Sequence, residues 1–127
     1  MDQAPYSFDL SEFEVIGALS TGGCLYGITP DAATDMRHLF EELKDSNMDV
    51  WVSTPPFADM CLADPGFNRE LLPKVSLFLF CGDYLTHRVA RALKQRFPEA
   101  VVANTYGPTE STVAVTYCQI TDEMLKD

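Results

Sequence analysis

A near-continuous apolar run at residues 75–80 (Val-Ser-Leu-Phe-Leu-Phe) restricts the fold of this 127-residue chain more than any other feature. Such a short run with one polar member is typical of a strand that is buried on both faces. Strands of that kind occur in parallel sheets, where a crossover helix joins one strand to the next. The run therefore predicts an α/β fold.

The rest of the chain alternates short apolar runs with helical patterns, as βαβ units do. Further strands are predicted at residues 24–28, 49–53, 101–103 and 113–120, and helices beginning at residues 11, 29, 57, 86 and 121. The sequence contains no internal repeat or linker, so residues 1–127 are expected to form a single α/β subdomain. Its mostly parallel sheet would be flanked by helices in a three-layer arrangement.

The first predicted helix has clear start and stop signals. Ser11 and Glu14 match the Ser-x-x-Glu capping box, and Gly22-Gly23 provides a stop. Apolar residues recur at helical spacing, and we expect that stripe to face the core: Phe13, Ile16 and Leu19.

Residues 104–110 (Asn-Thr-Tyr-Gly-Pro-Thr-Glu) form a turn between two apolar runs and contain the highest density of functional side chains in the chain. Gly107 lets the backbone approach a ligand closely, and Tyr106 offers a flat stacking face. Glu110 is a hard oxygen ligand of the kind that Mg²⁺ prefers when it also holds substrate phosphates. Composition alone leaves two interpretations open, a nucleotide-phosphate loop and an ordinary turn.

Three predicted strands end in unusual residues, namely Ser53, residues 81–83 and residues 104–110. In parallel α/β sheets, ligands bind outside the carboxyl ends of the strands. If these strands are parallel neighbours, their ends meet at one edge, and Asp9 is expected there too. Asp9 is either a cap or turn residue or a carboxylate that receives a substrate ammonium, and we expect it to share a crevice with Glu110.

Composition excludes several classes of partner. Nineteen acidic and nine basic residues give a net charge of −10 with no Lys/Arg-rich run, so nucleic acid is not expected. No apolar run approaches the ~20 residues of a membrane span, and we expect neither membrane insertion nor a signal peptide. The four Cys residues make no Cys-x-x-Cys pair, which argues against zinc and for a reduced, cytoplasmic chain.

Residues 104–110 resemble the N-x-Y-G-P-T-E core motif of the adenylate-forming enzymes, which activate acyl groups and amino acids. Phe8-Asp9-Leu10-Ser11 resembles the F-D-x-S motif of the amino-acid-activating branch, and both motifs occur in the family's order. The resemblance implies a fragment of the large N-terminal domain of an ATP-dependent, AMP-forming ligase that uses Mg²⁺. An amino acid and ATP would give an aminoacyl-AMP and pyrophosphate, before transfer to a carrier thiol.

The resemblance also implies a role for each matching residue. Asp9 would hold the ammonium of the substrate, while Asn104 would contact adenine and Tyr106 would stack on it. Thr109 would touch the α-phosphate and Glu110 would bind Mg²⁺, which makes these two the implied catalytic residues. The residues implied to line the amino-acid pocket are Leu10, Phe13, Ser53, Leu79, Cys81, Gly82, Thr105, Gly107 and Val113.

Residues 80–85, 95–98 and 104–116 look most like the branch of the family that activates D-alanine. That resemblance implies transfer of D-alanine to the phosphopantetheine thiol of a D-alanyl carrier protein, for D-alanylation of teichoic acids in the cell wall. In that branch the residue at the Cys81 position lies against the substrate, and a sulfur narrows the pocket. Pocket size discriminates by only ~1–3 kcal/mol per methylene, and a plain core cysteine is the alternative.

The sequence departs from the family pattern in several places. Asp83, implied to bind the nucleotide, stands where the family usually has Glu, which shortens the reach of the carboxylate. The Ser/Thr/Gly-rich phosphate loop, the ribose-binding Asp motif and the C-terminal domain with its catalytic Lys are absent. We therefore expect the fragment to be inactive by itself. Two alternatives stay open, an adenylation domain of a nonribosomal peptide synthetase for another small amino acid and a non-enzymatic α/β binding module.

Overall fold

The computed structural model describes residue 1 and residues 4–126, apart from the side chain of residue 33. Its α-helices are α1 (Leu10–Thr21), α2 (Met36–Ser46), α3 (Pro55–Leu62) and α4 (His87–Arg96). Its strands are β1 (Val50–Ser53), β2 (Leu77–Phe80), β3 (Val101–Tyr106) and β4 (Thr116–Gln119). Short 3-10 turns lie at Ala32–Thr34, Thr109–Ser111 and Glu123–Leu125.

The strands form one sheet in the order β1-β2-β3-β4. The first three are parallel, with Val50, Leu77 and Val101 side by side, and β4 runs antiparallel to β3. Crossovers that contain α3 and α4 join the parallel strands, as parallel pairing requires. The predicted α/β class, a mostly parallel sheet flanked by helices, is confirmed, and the apolar run of β2 lies between two partner strands.

Aromatic side chains build the core on one face of this sheet. Trp51 of β1 lies 5.2 Å from Phe67, and Phe78 of β2 lies 4.8 Å from Phe97, between ring centroids. All four are almost completely buried, and such rings bury about 150–250 Å² each. The helical residues that cover them come from α2, α3 and α4 and include Leu39, Leu43, Ala58, Val89 and Leu93.

The opposite face of the sheet has a thinner cover. Val52, Leu79 and Ala103, one from each parallel strand, form a second cluster there. The residues packed with them come from the start of α1 and from loops, and they are Ala4, Leu10, Cys81 and Val113. The third layer of the fold therefore consists of the first turn of α1 and the chain around Val113.

The expected inward stripe on α1 is wrong. Phe13, Ile16 and Leu19 are 43%, 61% and 76% exposed, whereas the buried residues of this helix are Leu10, Ser11 and Glu14. The reason is that only the first turn of α1 packs on the sheet. The stop signal is confirmed, because Gly22 takes the left-handed conformation at the end of the helix, with φ +69°.

Other boundaries also differ from the sequence predictions. Residues 24–28 form no strand, and the helix expected from residue 29 begins at Met36, where Asp35 accepts a hydrogen bond from the backbone N–H of Arg37 (2.9 Å). The last strand begins at Thr116 rather than at residue 113, because a turn intervenes. None of the described helices has the length and apolarity needed to cross a membrane.

Glu42 of α2 forms hydrogen bonds with the loop that precedes the helix. Its carboxylate accepts hydrogen bonds from the hydroxyl (2.6 Å) and the backbone N–H (3.0 Å) of Thr29, and His38 lies 3.3 Å away. The hydrogen bond from the Thr29 hydroxyl is the largest cause of a lowered pKa at Glu42. The ionised form of Glu42 is thus favoured by the fold.

We expect Glu42→Gln to weaken the pH dependence of unfolding in acid. Because the folded pKa lies below the ordinary value of 4.5, the ionised carboxylate stabilises the fold above that pH. This stabilisation is lost as the pH falls through the lowered pKa. Urea unfolding from neutral to acidic pH measures the effect, with Glu41→Gln as a control of equal charge. The same pH dependence in both variants would contradict the prediction.

Burial also separates the four thiols into two classes. Cys24 and Cys118 are exposed, whereas Cys61 and Cys81 are buried, and burial raises the pKa of Cys61 to about 12. We expect iodoacetamide to label Cys24 and Cys118 in the native chain at neutral pH and to label Cys61 only after denaturation. Mass spectrometry of native and urea-treated samples checks this, and rapid native labelling of Cys61 would refute it.

Candidate functional site

The carboxyl ends of the three parallel strands meet at one edge of the sheet, as predicted. The register places Ser53 beside Phe80 and Phe80 beside Asn104. A cavity of about 460 Å³ opens beyond β2 and β3, within the ~300–1,000 Å³ range of small-molecule sites. Its lining residues are Gly82, Asp83, Tyr84, Asn104, Thr105, Tyr106 and Gly107.

Two side chains of this cavity suit a planar, hydrogen-bonding ligand. The amide oxygen of Asn104 is buried and accepts no hydrogen bond from a described group, a condition that costs about 1–3 kcal/mol. The ring of Tyr106 is 66% exposed and leaves a face open for stacking. An amino-substituted base such as adenine offers both a donor for Asn104 and a flat surface for Tyr106.

Thr109 and Glu110 lie exposed on the 3-10 turn Thr109–Ser111, directly after Pro108. Across residue 1 and residues 4–126, no group of three or more His, Cys, Asp or Glu side chains could hold a metal ion. Glu110 would therefore bind Mg²⁺ only together with phosphate oxygens and water. Mg²⁺ is commonly held in that way, by one or two carboxylates plus substrate phosphates.

The second cluster brings four of the implied pocket residues together at the same edge. They are Leu10, Leu79, Cys81 and Val113. The thiol of Cys81 lies 3.5 Å from the backbone carbonyl of Val113, and the buried hydroxyl of Thr105 donates to the carbonyl of Phe80 (2.8 Å). Asp9 immediately precedes Leu10 and is half-buried.

Two implied pocket residues lie neither in this cluster nor in the lining of the cavity at the strand ends. Ser53 is fully buried on the aromatic face, where its hydroxyl accepts from the indole N–H of Trp51 (2.7 Å) and donates to the carbonyl of Thr54 (3.0 Å). Side chains alternate along a strand, so Ser53 shares the face of Trp51. Phe13 lines a separate cavity between α1 and β1.

Sequence reasoning missed the part that Gly107 plays in packing. A β-carbon at Gly107 would lie 2.6 Å from the α-carbon of Ala114 and 2.7 Å from the carbonyl oxygen of Val113. Thr112 and Val113 have φ of +59° and +65°, and the N–H of Ala114 donates to the carbonyl of Thr112 (2.7 Å). Positive φ is strained for β-branched residues, so Gly107 packs against a strained γ-turn that holds Val113 in the second cluster.

We expect Gly107→Ala to destabilise the chain by about 1–3 kcal/mol, because the added methyl group meets backbone atoms that no side-chain rotation can move away. Gly27→Ala is the matched control, since a β-carbon there would meet no atom within 4 Å. Thermal and urea unfolding compare the two variants. Equal stabilities would show that the close contact at Gly107 does not limit this position.

The family model described as "AMP-binding enzyme" matches residues 1–127. A D-alanine–D-alanyl carrier protein ligase of Bacillus licheniformis is 55% identical over 125 residues, which are 98% of this chain and 25% of that protein. A ligase of the same name from Lactiplantibacillus plantarum is 51% identical over 125 residues, with the same coverage of 98% and 25%. The chain thus spans about a quarter of the length of these relatives.

Solved structures show the same arrangement. An adenylation domain of Vibrio cholerae, AlmE, in complex with glycyl-adenosine-5'-phosphate has a TM-score of 0.81 and 31% identity, covering 95% of this chain and 23% of that one. The peptide synthetase protein PA1221, which contains adenylation and carrier domains, has a TM-score of 0.79 and 27% identity, covering 98% and 24%.

Proposed function

The chain belongs to the family of AMP-binding enzymes, and from that premise we propose that it forms the central part of a ligase that adenylates D-alanine. The ligase would then transfer D-alanine to the phosphopantetheine thiol of a D-alanyl carrier protein, in the cytoplasm, for D-alanylation of teichoic acids. The observation that supports this most is the cavity at the strand ends, where Gly82 follows Cys81 and Gly107 packs on Val113, both members of the second cluster. Relatives of 55% and 51% identity are named for D-alanine.

On the nucleotide side, Asn104 and Tyr106 would contact adenine, and Asp83 would be a further nucleotide contact. Thr109 would contact the α-phosphate and Glu110 would hold Mg²⁺, which neutralises phosphate charge when bound. These groups position ATP and balance its charge, and they need no covalent bond to the substrate.

On the amino-acid side, Asp9 would receive the ammonium group of D-alanine. The methyl group of D-alanine would face Cys81, which packs with Leu10, Leu79 and Val113, and Thr105 would be a further contact. Gly82 and Gly107 line the adjoining cavity and leave room for the backbone to approach a ligand. Because the thiol of Cys81 lies against Val113, larger side chains would lack space.

The reaction itself is an in-line displacement. A carboxylate oxygen of D-alanine would bond to the α-phosphorus of ATP while the bond to the bridging oxygen of pyrophosphate breaks. The carrier thiol would later attack the acyl carbon, form a thioester and release AMP. Residues 1–127 would supply only one quarter of such a protein, so the reaction requires the remainder of the domain.

A chimera tests this proposal, in which residues 1–127 replace the matching quarter of the Bacillus licheniformis relative. We expect D-alanine-dependent exchange of pyrophosphate into ATP, with D-alanine preferred over L-alanine and glycine. A folded chimera without exchange, beside an active parental ligase, would overturn the proposal. Equal use of several small amino acids would favour the peptide synthetase alternative, for which PA1221 is the structural precedent.

In the same chimera we expect Glu110→Gln to lower exchange by about 10²-fold or more, as the loss of one preorganised charge contact commonly does. Thermal stability should change little because Glu110 is exposed. Glu123→Gln, an exposed position on a 3-10 turn outside the site, is the control. Normal exchange combined with a large loss of stability would assign Glu110 a structural role instead.

A further inference from the structure

Tyr84 is a large aromatic residue to which the proposed reaction gives no role. Its side chain is 79% exposed, yet it lines the cavity at the strand ends together with Tyr106. The two tyrosines come from different segments, since Tyr84 lies between β2 and α4 and Tyr106 ends β3. An aromatic ring left in water is unfavourable unless something covers it. The cavity therefore offers two rings on which a flat ligand can stack.

The backbone holds Tyr84 at the cavity from both sides. Gly82 turns the chain after β2 with φ +89°, and the carboxylate of Asp83 accepts a hydrogen bond from the backbone N–H of Tyr84 (2.7 Å). On the other side, Leu85 packs against the aromatic core, and the hydroxyl of Thr86 accepts a backbone N–H of α4 (3.3 Å). Because both neighbouring segments are anchored, little backbone entropy is lost when a ligand packs on the ring.

The polar groups of the cavity suit a neutral, flat ligand better than a phosphate. Its lining, drawn from residue 1 and residues 4–126, includes the carboxylate of Asp83 but no Lys or Arg. A phosphate placed there would meet negative charge without a compensating cation. The buried amide oxygen of Asn104, by contrast, lacks a donor among the described groups. An amino-substituted heteroaromatic base supplies that donor at its edge and presents two faces to aromatic rings.

We propose, on the basis of the proposed adenine site at Asn104 and Tyr106, that Tyr84 is a further base-binding residue. Its ring would stack on the face of adenine that Tyr106 leaves uncovered, so that two aromatic side chains hold the base between them. Stacking does not depend on the groups at the edge of a base. Tyr84 would therefore raise the affinity for any purine, whereas Asn104 would determine which purine is preferred. This role does not depend on D-alanine as the substrate.

A side chain from the unmatched three quarters of the ligase is the competing partner for Tyr84. A ring covered in that way would contribute to the stability of the domain, because its apolar surface would leave water. It would contribute nothing to the affinity for a nucleotide. The two roles therefore differ in what a substitution at Tyr84 changes, the melting temperature in one case and the affinity for the base in the other.

Adenosine, which carries no phosphate, tests this role on the 127-residue chain without Mg²⁺ or amino acid. Saturation-transfer NMR detects weak binding, and a titration gives the Kd. We expect Tyr84→Leu to weaken binding about tenfold or more, and Tyr84→Phe, which keeps the ring, to stay within about threefold. Tyr117→Leu, at a residue 62% exposed on β4 and outside the cavity lining, is the control. Undiminished binding by Tyr84→Leu, or no binding by the unmodified chain, would overturn the proposal.

Inosine separates stacking from hydrogen bonding at the edge of the base. It keeps the fused rings of adenosine but has a carbonyl group in place of the amino group. We expect Tyr84→Leu to lower the affinities for adenosine and inosine by the same factor, because stacking uses the faces of the rings. A loss confined to adenosine would contradict stacking and would assign Tyr84 to the edge of the base.

The chimera distinguishes base binding from a structural role. In pyrophosphate exchange, Tyr84→Leu should raise the KM for ATP about tenfold and leave the KM for D-alanine and kcat nearly unchanged, as the loss of uniform binding does. A lower melting temperature with an unchanged KM for ATP would show that Tyr84 packs on the rest of the domain and would overturn the proposal. An inactive chimera, beside a 127-residue chain that binds adenosine through Tyr84, would contradict the proposed ligase and support the base site.

Discussion

The alternation of side chains across the three parallel strands is the constraint on which the rest of this structure depends. Trp51, Phe78 and Val102 point to one face and build the core, while Val52, Leu79 and Ala103 point to the other. Because the register is parallel and unbroken, the three residues of each set lie side by side on their own face of the sheet. One face is then packed by α2, α3 and α4, while the other has the thinner cover of the first turn of α1 and the chain around Val113.

Backbone contacts join the two halves of the candidate site at the strand ends. Gly82 turns the chain after β2 with φ +89°, and the N–H of Val115 donates to the carbonyl of Tyr106 (2.8 Å). Gly107 packs directly on the turn at Val113, whose carbonyl contacts Cys81. The motif loop and the second cluster are therefore one packed unit, in which a shift on either side would move the other.

Local patterns predicted the strands of the sheet well and the first helix poorly. The apolar runs marked β1, β2 and β3 because strands buried on both faces have little choice of composition. The prediction that Phe13, Ile16 and Leu19 face the core was wrong because helical spacing identifies one face of a helix without identifying what covers that face. Phe67, at the centre of the aromatic cluster, gave no signal because its loop has no periodicity.

The sequence by itself determined the order of the motif residues, the α/β class and the family, since these depend on residue type and spacing along the chain. Only the tertiary structure decided that Ser53 serves the core and that Leu10, Leu79, Cys81 and Val113 share a cluster. It also decided that Gly107 is held against Ala114 and that β1 stands at one edge of the four-stranded sheet. Those features depend on which strand face meets which neighbour, and contacts between residues far apart in the chain set that choice.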